Sequence, residues 1–309
     1  MIIIGAGYAG LLAGVMLPGS VILEKGANPA ENHKGLLRFS NEAFSKAIEI
    51  PFRQTSVLKA IDRFRNPVAD AMFYSQKTTG SLHMRSIAGI DGESVRVNRW
   101  LPPDNLWCRM ATKAGKIVFG VDGLLFSATY KKPIISTVPM PVLMDALAWP
   151  NIEPFRFRNG HTIALDVPGA DAYFSLYIPA PGNPASRVSM TGSRLVIEIP
   201  DHDNCMTDEF LNTTVQNVCF MIGVDFNSLS GMDVDLRRNH ILKILPYDEE
   251  DRRRFIRWAS EEHGIYSLGR YATWRPGLVL DALPKDVRAI KALITTDSQL
   301  DTKGSQRWK

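Results

Sequence analysis

The chain has 309 residues, of which 45% are hydrophobic and 22% are charged, and its formal net charge at pH 7 is +4. This composition excludes disorder as the main state and allows one large core or two interleaved domains. The mild basic excess suits an anionic cofactor or substrate but is too small to predict a dedicated nucleic-acid-binding surface.

Cysteine spacing and the N-terminal sequence bear on the cellular compartment. Cys108, Cys205 and Cys219 show neither CxxC nor metal-ligand spacing, which predicts buried or incidental thiols in a reducing compartment. No basic region precedes the start MIIIGAG, and no window approaches the roughly 20 apolar residues of a membrane-spanning helix. We therefore expect a cytoplasmic protein.

The first 25 residues predict a β-α-β unit. Residues 2–4 are apolar and β-branched, as in a parallel strand that is buried on both faces. A short helix over 11–17 ends at Pro18 and Gly19, and residues 21–24 form the second strand.

The middle of the chain predicts an insertion followed by a return to the first domain. Residues 41–64 have mixed helical spacing, and the polar stretch through Asp91 predicts strands and loops. Asp104 is the predicted cap of a helix over 105–114 that Gly115 closes. Strands are predicted at 116–119 and 134–138.

The second half predicts an antiparallel sheet and two helices. Turn residues divide 161–199 into three or four strands. Thr207 begins a helix with the apolar stripe Leu211, Val215, Val218 and Ile222. A final helix covers 278–293, and a polar, flexible tail follows over 297–309.

A GxGxxG motif, GAGYAG at residues 5–10, joins the first strand to the first helix. Gly5 permits a tight turn, Gly7 allows a pyrophosphate to approach the backbone, and Gly10 allows close helix packing. Tyr8 and Ala9 complete the motif where the helix N-terminus offers N–H groups to an anion. In this context the motif predicts dinucleotide binding, with a purely structural turn as the alternative.

An acidic residue ends the second strand, nineteen positions after the first glycine of the motif. Glu24 is placed to accept hydrogen bonds from the adenosine ribose, which argues against NADP because its 2′-phosphate would be repelled. Lys25 is adjacent and is included among the predicted cofactor-binding residues. This motif alone does not distinguish FAD from NAD.

Two distant segments favour FAD. Residues 133–139, PIISTVP, and residues 269–275, GRYATWR, resemble segments of amine-oxidase-like and UDP-galactopyranose-mutase-like flavoproteins. The order along the chain is also similar, with the glycine turn first, the strand near the middle and the GR segment near the C-terminus. The resemblance implies an FAD cofactor.

The resemblance also implies individual roles near the C-terminus. Gly269 and Arg270 would lie along the FAD diphosphate and ribityl chain, and Leu278 and Val279 would offer backbone N–H groups to the pyrimidine side of the flavin. The sequence departs from the family where an acidic residue and a methionine are usual, because Asp281 comes three residues late.

Four further residues are implied to lie near FAD. Gly35 and Arg38 occupy the position of a second glycine-rich stretch, although only one glycine of the usual pair is present. Val118 lies in the strand expected beside the adenine, and Val138 ends the strand of the PIISTVP segment.

The predicted fold class is α/β, with a Rossmann-type FAD-binding domain and an interleaved α+β substrate domain that contains an antiparallel sheet. The predicted FAD-binding domain comprises residues 1–40, 98–147 and 264–296. The predicted substrate domain comprises residues 41–97 and 148–263.

The antiparallel sheet is the predicted cover of the flavin. Its candidate substrate-lining residues are Tyr173, Tyr177, Arg187 and Arg194, although strand alternation places only some of them on the flavin side. The six histidines lack HxH or HExxH spacing, so no metal site is predicted, and no GxSxG nucleophile motif is present. Catalytic residues are not identified, which suits chemistry carried by a flavin.

Three hypotheses about function follow. The first is an FAD enzyme that oxidises, or cleaves next to, an amine or amino-acid-like group, with a resemblance to compact bacteriophage flavoproteins that act on hypermodified thymine in DNA. The second is a redox-neutral, mutase-like reaction on a nucleotide sugar, and the third is flavin binding without turnover. Substrate, electron acceptor and oligomeric state stay open.

A DNA-borne substrate would need basic side chains that contact phosphates. The candidates are the run Arg252, Arg253 and Arg254 and the pair Arg237 and Arg238. The alternative is that the run forms a solvated helix face.

Overall fold

The computed structural model describes residues 1–27, 36–82, 87, 94–125, 133–150, 153–200, 207–229 and 235–305, with the backbone alone described for 235–240 and 297–305. These residues form a parallel sheet and a larger mixed sheet, both with helices packed on them. Among the described helices, none combines the length and the apolar character that a membrane crossing requires.

The strands and α-helices are labelled in chain order. They are β1 (Ile2–Ile4), α1 (Tyr8–Met16), β2 (Val21–Glu24), α2 (Ala43–Ile48), β3 (Arg53–Ile61), α3 (Pro67–Thr79), β4 (Ser94–Leu101), α4 (Leu106–Ala114), β5 (Lys116–Phe119), β6 (Ile134–Ser136), α5 (Met140–Ala146), β7 (Phe157–Asp166), β8 (Ala172–Tyr177), β9 (Arg187–Gly192), β10 (Arg194–Pro200), α6 (Asp208–Ile222), β11 (Asp235–Ile244), α7 (Glu249–His263), β12 (Ile265–Ser267) and α8 (Leu283–Ser305).

The parallel sheet has the strand order β12-β6-β1-β2-β5. Because side chains alternate between the faces of a sheet, its strands feed two separate cores. Ile3 and Ile135 are fully buried against helices α1, α2, α4 and α8, whereas Ile4 and Ile134 join a second core with α5 and α7. Helices on both faces of a parallel sheet make a Rossmann-type layer, which confirms the predicted α/β fold class.

The mixed sheet has the order β11-β7-β10-β9-β8-β3-β4. Strands β3 and β8 pair in parallel, and the other neighbouring pairs are antiparallel. Leu165, Leu195 and Ile197 bury one face against helix α6, while Ser175 and Ser189 lie on the opposite, polar face. The antiparallel sheet predicted over 161–199 is therefore confirmed, and β3, β4 and β11 extend it beyond the prediction.

The predicted β-α-β unit is also confirmed, with one change at the helix start. Helix α1 begins at Tyr8 rather than at residue 11 and ends at Met16 rather than at residue 17. Gly7 has φ −68° and ψ 175°, so it is the extended residue before the helix, and the second half of the glycine motif belongs to the helix.

The prediction for residues 41–91 was largely wrong in the type of element. The helical prediction over 41–64 holds only for α2, because strand β3 follows it with every second side chain on the same face. Helix α3 occupies part of the stretch predicted as strands and loops. Asn66 caps α3 by accepting a hydrogen bond from Ala69 N, and Pro67 at the first helical position stabilises its start.

Several predicted boundaries also changed. Asp104 is not the cap of α4, because Asn105 holds that position and the Leu106 amide bonds to the Pro103 carbonyl at 3.0 Å. The strand predicted over 134–138 ends at Ser136. The cap predicted for α6 is confirmed, since Thr207 Oγ1 accepts from Phe210 N at 3.1 Å.

The C-terminal helix lies later in the chain than predicted. A 3₁₀ turn at Leu280–Ala282 precedes α8, and the backbone of 297–305 continues this helix where a flexible tail was expected. Polar composition alone does not prevent a helix from continuing.

All five strands of the parallel sheet fall within the predicted FAD-binding segments. Helices α2 and α7 fall within the predicted substrate segments, although their apolar residues pack with the two cores of the parallel sheet. The domain boundaries stay a prediction.

Candidate functional site

The glycine turn between β1 and α1 has the backbone that the motif predicts. Gly5 has a φ of +98°, and an added Cβ there would lie 2.2 Å from Thr137 Oγ1. A Cβ at Gly10 would lie 1.8 Å from the Gly5 carbonyl oxygen, so the helix approaches the turn more closely than any side chain allows. An added Cβ at Gly7 meets no heavy atom within 4 Å.

The N-terminus of α1 is suited to an anion. Its N-cap residue, Gly7, has no side chain that could accept a hydrogen bond from the first turn. The first N–H groups of a helix have no partner within the helix, and the helix dipole adds partial positive charge there. This is the usual arrangement for binding a diphosphate at a Rossmann turn.

Glu24 lies at the carboxyl end of β2 and fixes the turn. Its Oε2 accepts a hydrogen bond from Ala6 N at 2.6 Å, and its Oε1 accepts one from Gly26 N at 2.7 Å. Lys25 instead forms an ion pair with Asp122 at 2.9 Å, and this contact lowers the pKa of Asp122. The predicted ribose contact of Glu24 stays a prediction.

The GR segment reaches the glycine turn from the far end of the chain. An added Cβ at Gly269, whose φ is +102°, would lie 3.1 Å from Ala9 Cβ in the first turn of α1. Within the segment, Thr273 holds the turn because both its N and its Oγ1 donate to the Gly269 carbonyl. Arg270 Nε is buried and has no hydrogen-bond partner among the described residues. The segment that contacts the first turn of α1 thus also carries an unpartnered guanidinium N–H, a group that suits a diphosphate.

Two of the other implied FAD neighbours lie in the parallel sheet. Val118 lies in β5 opposite Leu23 of β2, and Val138 follows β6, where its N–H donates to Ser136 Oγ at 3.3 Å. Both positions lie near the carboxyl ends of their strands, the usual location of ligands in such sheets.

One of the two implied flavin donors is already engaged within the chain. The N–H of Leu278 already donates to the Arg275 carbonyl at 3.0 Å, whereas Val279 is exposed. Asp281 Oδ2 accepts hydrogen bonds from Ser40 N and Ser40 Oγ, and this contact joins the start of the C-terminal helix region to the segment after β2.

Arg38 lies on the mixed sheet. Its guanidinium donates to Thr191 Oγ1 and Ser175 Oγ, both at 2.8 Å, and to the carbonyls of Phe174 and Met190. Burial lowers the pKa of Arg38 to about 10, and the charge of Arg187 adds to the effect. Its predicted contact with FAD stays a prediction, and Gly35 lies outside the described residues.

A cavity of about 1180 Å³ separates the first turn of α1 from the polar face of the mixed sheet. Tyr8 and residues 101–106 line one side, and Tyr173, Thr191 and Arg194 line the other. Two of the four candidate substrate-lining residues, Tyr173 and Arg194, therefore face this cavity. Burial, with a smaller contribution from Cys108, raises the pKa of Tyr8.

The other two candidates share the sheet face but not the cavity. Tyr177 packs edge-to-face against Tyr74 of α3, with ring centroids 5.8 Å apart. Arg187 forms an ion pair with Glu198, which raises the pKa of Arg187. Helix α3 therefore lies next to this part of the face.

Sequence reasoning missed two residues of the site. Arg53 lines the cavity, where its Nη2 donates to the Tyr173 hydroxyl at 2.7 Å. It could not be placed because β3 was not predicted as a strand. Trp107 Nε1 donates to the Ala6 carbonyl at 2.9 Å and supports the glycine turn, but no motif marks this contact.

The arginine run proposed for DNA lies on α7 and is paired with its own helix. Arg252 is 9% exposed and bonds to Glu249 and to the Thr273 carbonyl. Arg253 pairs with Glu249 and Arg254 with Asp251. The pair at 237 and 238 lies in β11, where only the backbone is described.

Comparison with known proteins identifies a shared fold. No family model matches the sequence, and no curated protein matches it. The crystal structure of reduced UDP-galactopyranose mutase has a TM-score of 0.67 at 13% identity and covers 96% of this chain and 95% of that chain. A putative protoporphyrinogen oxidase from Exiguobacterium sp. 255-15 has a TM-score of 0.56 at 12% identity, with coverage of 96% and 97%.

A third similar structure is a flavoprotein/dehydrogenase from Cytophaga hutchinsonii, with a TM-score of 0.50 at 11% identity and coverage of 94% of this chain and 78% of that chain. At these identities the similarity establishes the fold, which this chain shares with flavoproteins.

Proposed function

We propose that this chain is an FAD-dependent flavoenzyme. The observation that supports it best is the convergence of two motifs that are some 260 residues apart. The uncapped helix N-terminus at Gly7 and the unpartnered Nε of Arg270 are both suited to a diphosphate, and Gly269, next to Arg270 in the chain, packs against Ala9 of α1. The shared fold supports the same cofactor.

When bound, FAD supplies the electron-transfer chemistry. The chain would hold the diphosphate at the glycine turn and orient the substrate against the polar sheet face. Residues 101–106 line the cavity and would form one of its walls around the substrate.

The reaction that we favour is oxidation of, or cleavage next to, an amine or amino-acid-like group. Tyr173 and Asp166 line the cavity and can accept hydrogen bonds from an ammonium group, while Arg53 and Arg194 can bind a carboxylate. Arg194 and Asp166 form an ion pair at 2.9 Å, so a substrate that carries both charges could exchange with that pair.

A redox-neutral reaction on a nucleotide sugar is the second candidate. It is supported by the resemblance of residues 269–275 to the mutase segment and by the structural similarity to UDP-galactopyranose mutase. A flavin-binding protein without turnover is the third.

Anaerobic addition of substrates to the FAD-loaded protein distinguishes these candidates. Bleaching of the flavin by an amine or amino acid supports the oxidative reaction, and conversion of a nucleotide sugar without net bleaching supports the second candidate. If neither bleaching nor conversion occurs with either class of substrate, the result supports flavin binding without turnover. Colourless protein that binds NAD and cannot be reconstituted with FAD would refute the flavoprotein proposal.

A finer hypothesis places the amine on a hypermodified thymine in bacteriophage DNA. It rests on the resemblance to compact bacteriophage flavoproteins, and the arginine run does not add to it, because Arg252, Arg253 and Arg254 pair with Glu249 and Asp251. Binding of a fluorescent duplex between about 50 and 200 mM salt tests it, because each neutralised phosphate contributes a slope of about −0.9 in log affinity against log salt. No binding at the lowest salt, together with turnover of a free amine, refutes it.

A further inference from the structure

A second cleft, of about 630 Å³, lies at the other end of the mixed sheet. It is formed by the C-terminus of α3, the start of β7, the end of β11 and Pro276. Strand β7 separates it from the large cavity: Arg158 lines the cleft and Asp166 lines the cavity, about 26 Å apart at roughly 3.3 Å per residue. The cleft is therefore a separate site.

The charge of this cleft is positive. Arg156, Arg158 and Lys243 line it, and no described lining residue is acidic. Arg158 Nε is buried and has no hydrogen-bond partner among the described residues. Gly80, with a φ of +77°, leaves room for this guanidinium, because an added Cβ would lie 2.9 Å from Arg158 Nη2.

The Nε of Arg187 is also buried without a hydrogen-bond partner, but Arg187 and other described arginines have a carboxylate beside them. Arg63, Arg187 and Arg275 each form an ion pair with a carboxylate. Burying part of a guanidinium without a hydrogen-bond partner costs free energy that a bound anion can offset. The arrangement in the cleft is that of a site for a negatively charged ligand.

The cleft also offers an aromatic surface. Phe157 lines it with 43% of its surface exposed, so its ring is accessible to a ligand in the cleft. Phe155 stacks on Tyr247, with ring centroids 4.2 Å apart, and packs edge-to-face against the buried Trp274. Phe157 can therefore stack on a planar ligand above a rigid floor.

We propose that this cleft binds a nucleoside phosphate, with the phosphate on Arg158 and Lys243 and the base on Phe157. The ligand is either a free nucleotide or one unit of a polynucleotide, which present the same chemistry. The proposal does not depend on FAD or on turnover.

The aromatic cluster below the cleft includes Trp274, which belongs to residues 269–275, the segment predicted to contact FAD. Trp274 follows Gly269 and Arg270 in the chain, and its Nε1 donates to the carbonyl of Leu245, a lining residue, at 2.9 Å. Its φ of +44° is rare for a bulky side chain, and such strain concentrates at functional sites. A ligand in the cleft thus lies against the segment that reaches the glycine turn.

Isothermal titration calorimetry of the protein as purified tests the proposal with three probes: adenosine monophosphate, inorganic triphosphate and a short single-stranded oligonucleotide. We expect Arg158→Ala and Lys243→Ala each to weaken the binding of every probe by about ten- to a hundredfold. Phe157→Ala should weaken the nucleotide by about tenfold and leave triphosphate unchanged. Arg253→Ala, at an exposed side chain of α7, is the matched control.

The probes separate the two sources of ligand. If the mononucleotide binds at least as tightly as the oligonucleotide, the ligand is a free nucleotide. If the oligonucleotide binds more tightly, and the slope of log affinity against log salt corresponds to several neutralised phosphates, the ligand is a polymer. The proposal is overturned if neither nucleotide binds, if Arg158→Ala and Lys243→Ala bind like the wild type, or if Arg253→Ala loses as much affinity. Equal loss of triphosphate and nucleotide in Phe157→Ala overturns the stacking role.

Discussion

Gly7→Val separates cofactor binding from folding. Gly7 has an extended backbone that any residue adopts, and an added Cβ meets no heavy atom within 4 Å. By contrast, a Cβ added at Gly5 would lie 2.2 Å from Thr137 Oγ1, and one added at Gly10 would lie 1.8 Å from a backbone oxygen. Gly7 is therefore the position of the turn where the apoprotein should accept a side chain that a bound diphosphate excludes.

The expected effects of Gly7→Val on stability and on FAD affinity differ strongly. We expect the free energy of unfolding of apo Gly7→Val to stay within about 1 kcal/mol of the wild type, because a side chain in an allowed conformation mainly restricts the unfolded chain. Affinity for FAD should fall by about a hundredfold or more, since losing two charged hydrogen bonds costs about 3 to 6 kcal/mol.

Two measurements on the same samples check this reasoning. Urea unfolding of the apoprotein gives the stability, and quenching of flavin fluorescence gives the affinity. Gly182→Val is the matched control, because Gly182 is exposed and an added Cβ also meets nothing within 4 Å. Stoichiometric FAD in Gly7→Val would reduce the motif to a structural turn, and a large loss of stability would refute the steric argument.

Further substitutions test other contacts. Arg270→Ala should weaken FAD binding by about ten- to a hundredfold in the same titration, whereas Arg253→Ala should leave it unchanged. Arg38→Met should keep FAD affinity near the wild-type value and lower the unfolding free energy by about 1.5 to 3 kcal/mol, because its hydrogen bonds go to the mixed sheet; a loss of FAD as large as that of Arg270→Ala would restore the role predicted from the sequence. Lys77→Met should lower the unfolding free energy by about 3 kcal/mol, since Lys77 Nζ donates to three backbone carbonyls. Burial lowers the pKa of Lys77 from 10.5 to about 7, so the folded chain binds fewer protons than the unfolded chain between these values, and the stability difference between wild type and Lys77→Met should grow as pH rises through this window. Urea titrations of both proteins near the two ends of this pH window measure the stability difference. A difference that shrinks as pH rises contradicts the lowered pKa of Lys77.

The elements predicted best are those whose signals are local. The glycine turn, the parallel strands and the cap at Thr207 depend on residues within a few positions of one another, so the sequence contains the whole signal. The convergence of Gly269 with Ala9 was predicted only through the resemblance to flavoproteins, because no local property relates residues so far apart.

The failures have a common physical cause. Strand β3 was predicted as part of a helix because its pairing with β4 and β8, not its own sequence, determines its structure. Without β3, Arg53 could not be placed in the cavity. The hydrogen-bond partners of Arg38 could not be predicted either: the resemblance to flavoproteins implied a contact with FAD, which stays a prediction, whereas the acceptors that hold Arg38 lie on β8 and β9, more than 130 residues away.

The pairing of β12 with β6 sets the time at which the cofactor site can form during synthesis. Strand β12, which leads into Gly269, is made some 260 residues after the glycine turn. At about 5 to 20 residues per second, the ribosome needs roughly 13 to 50 s to cover that distance. Throughout this interval the nascent chain has the glycine turn but lacks Arg270, so we expect tight FAD binding only after most of the chain has been synthesised.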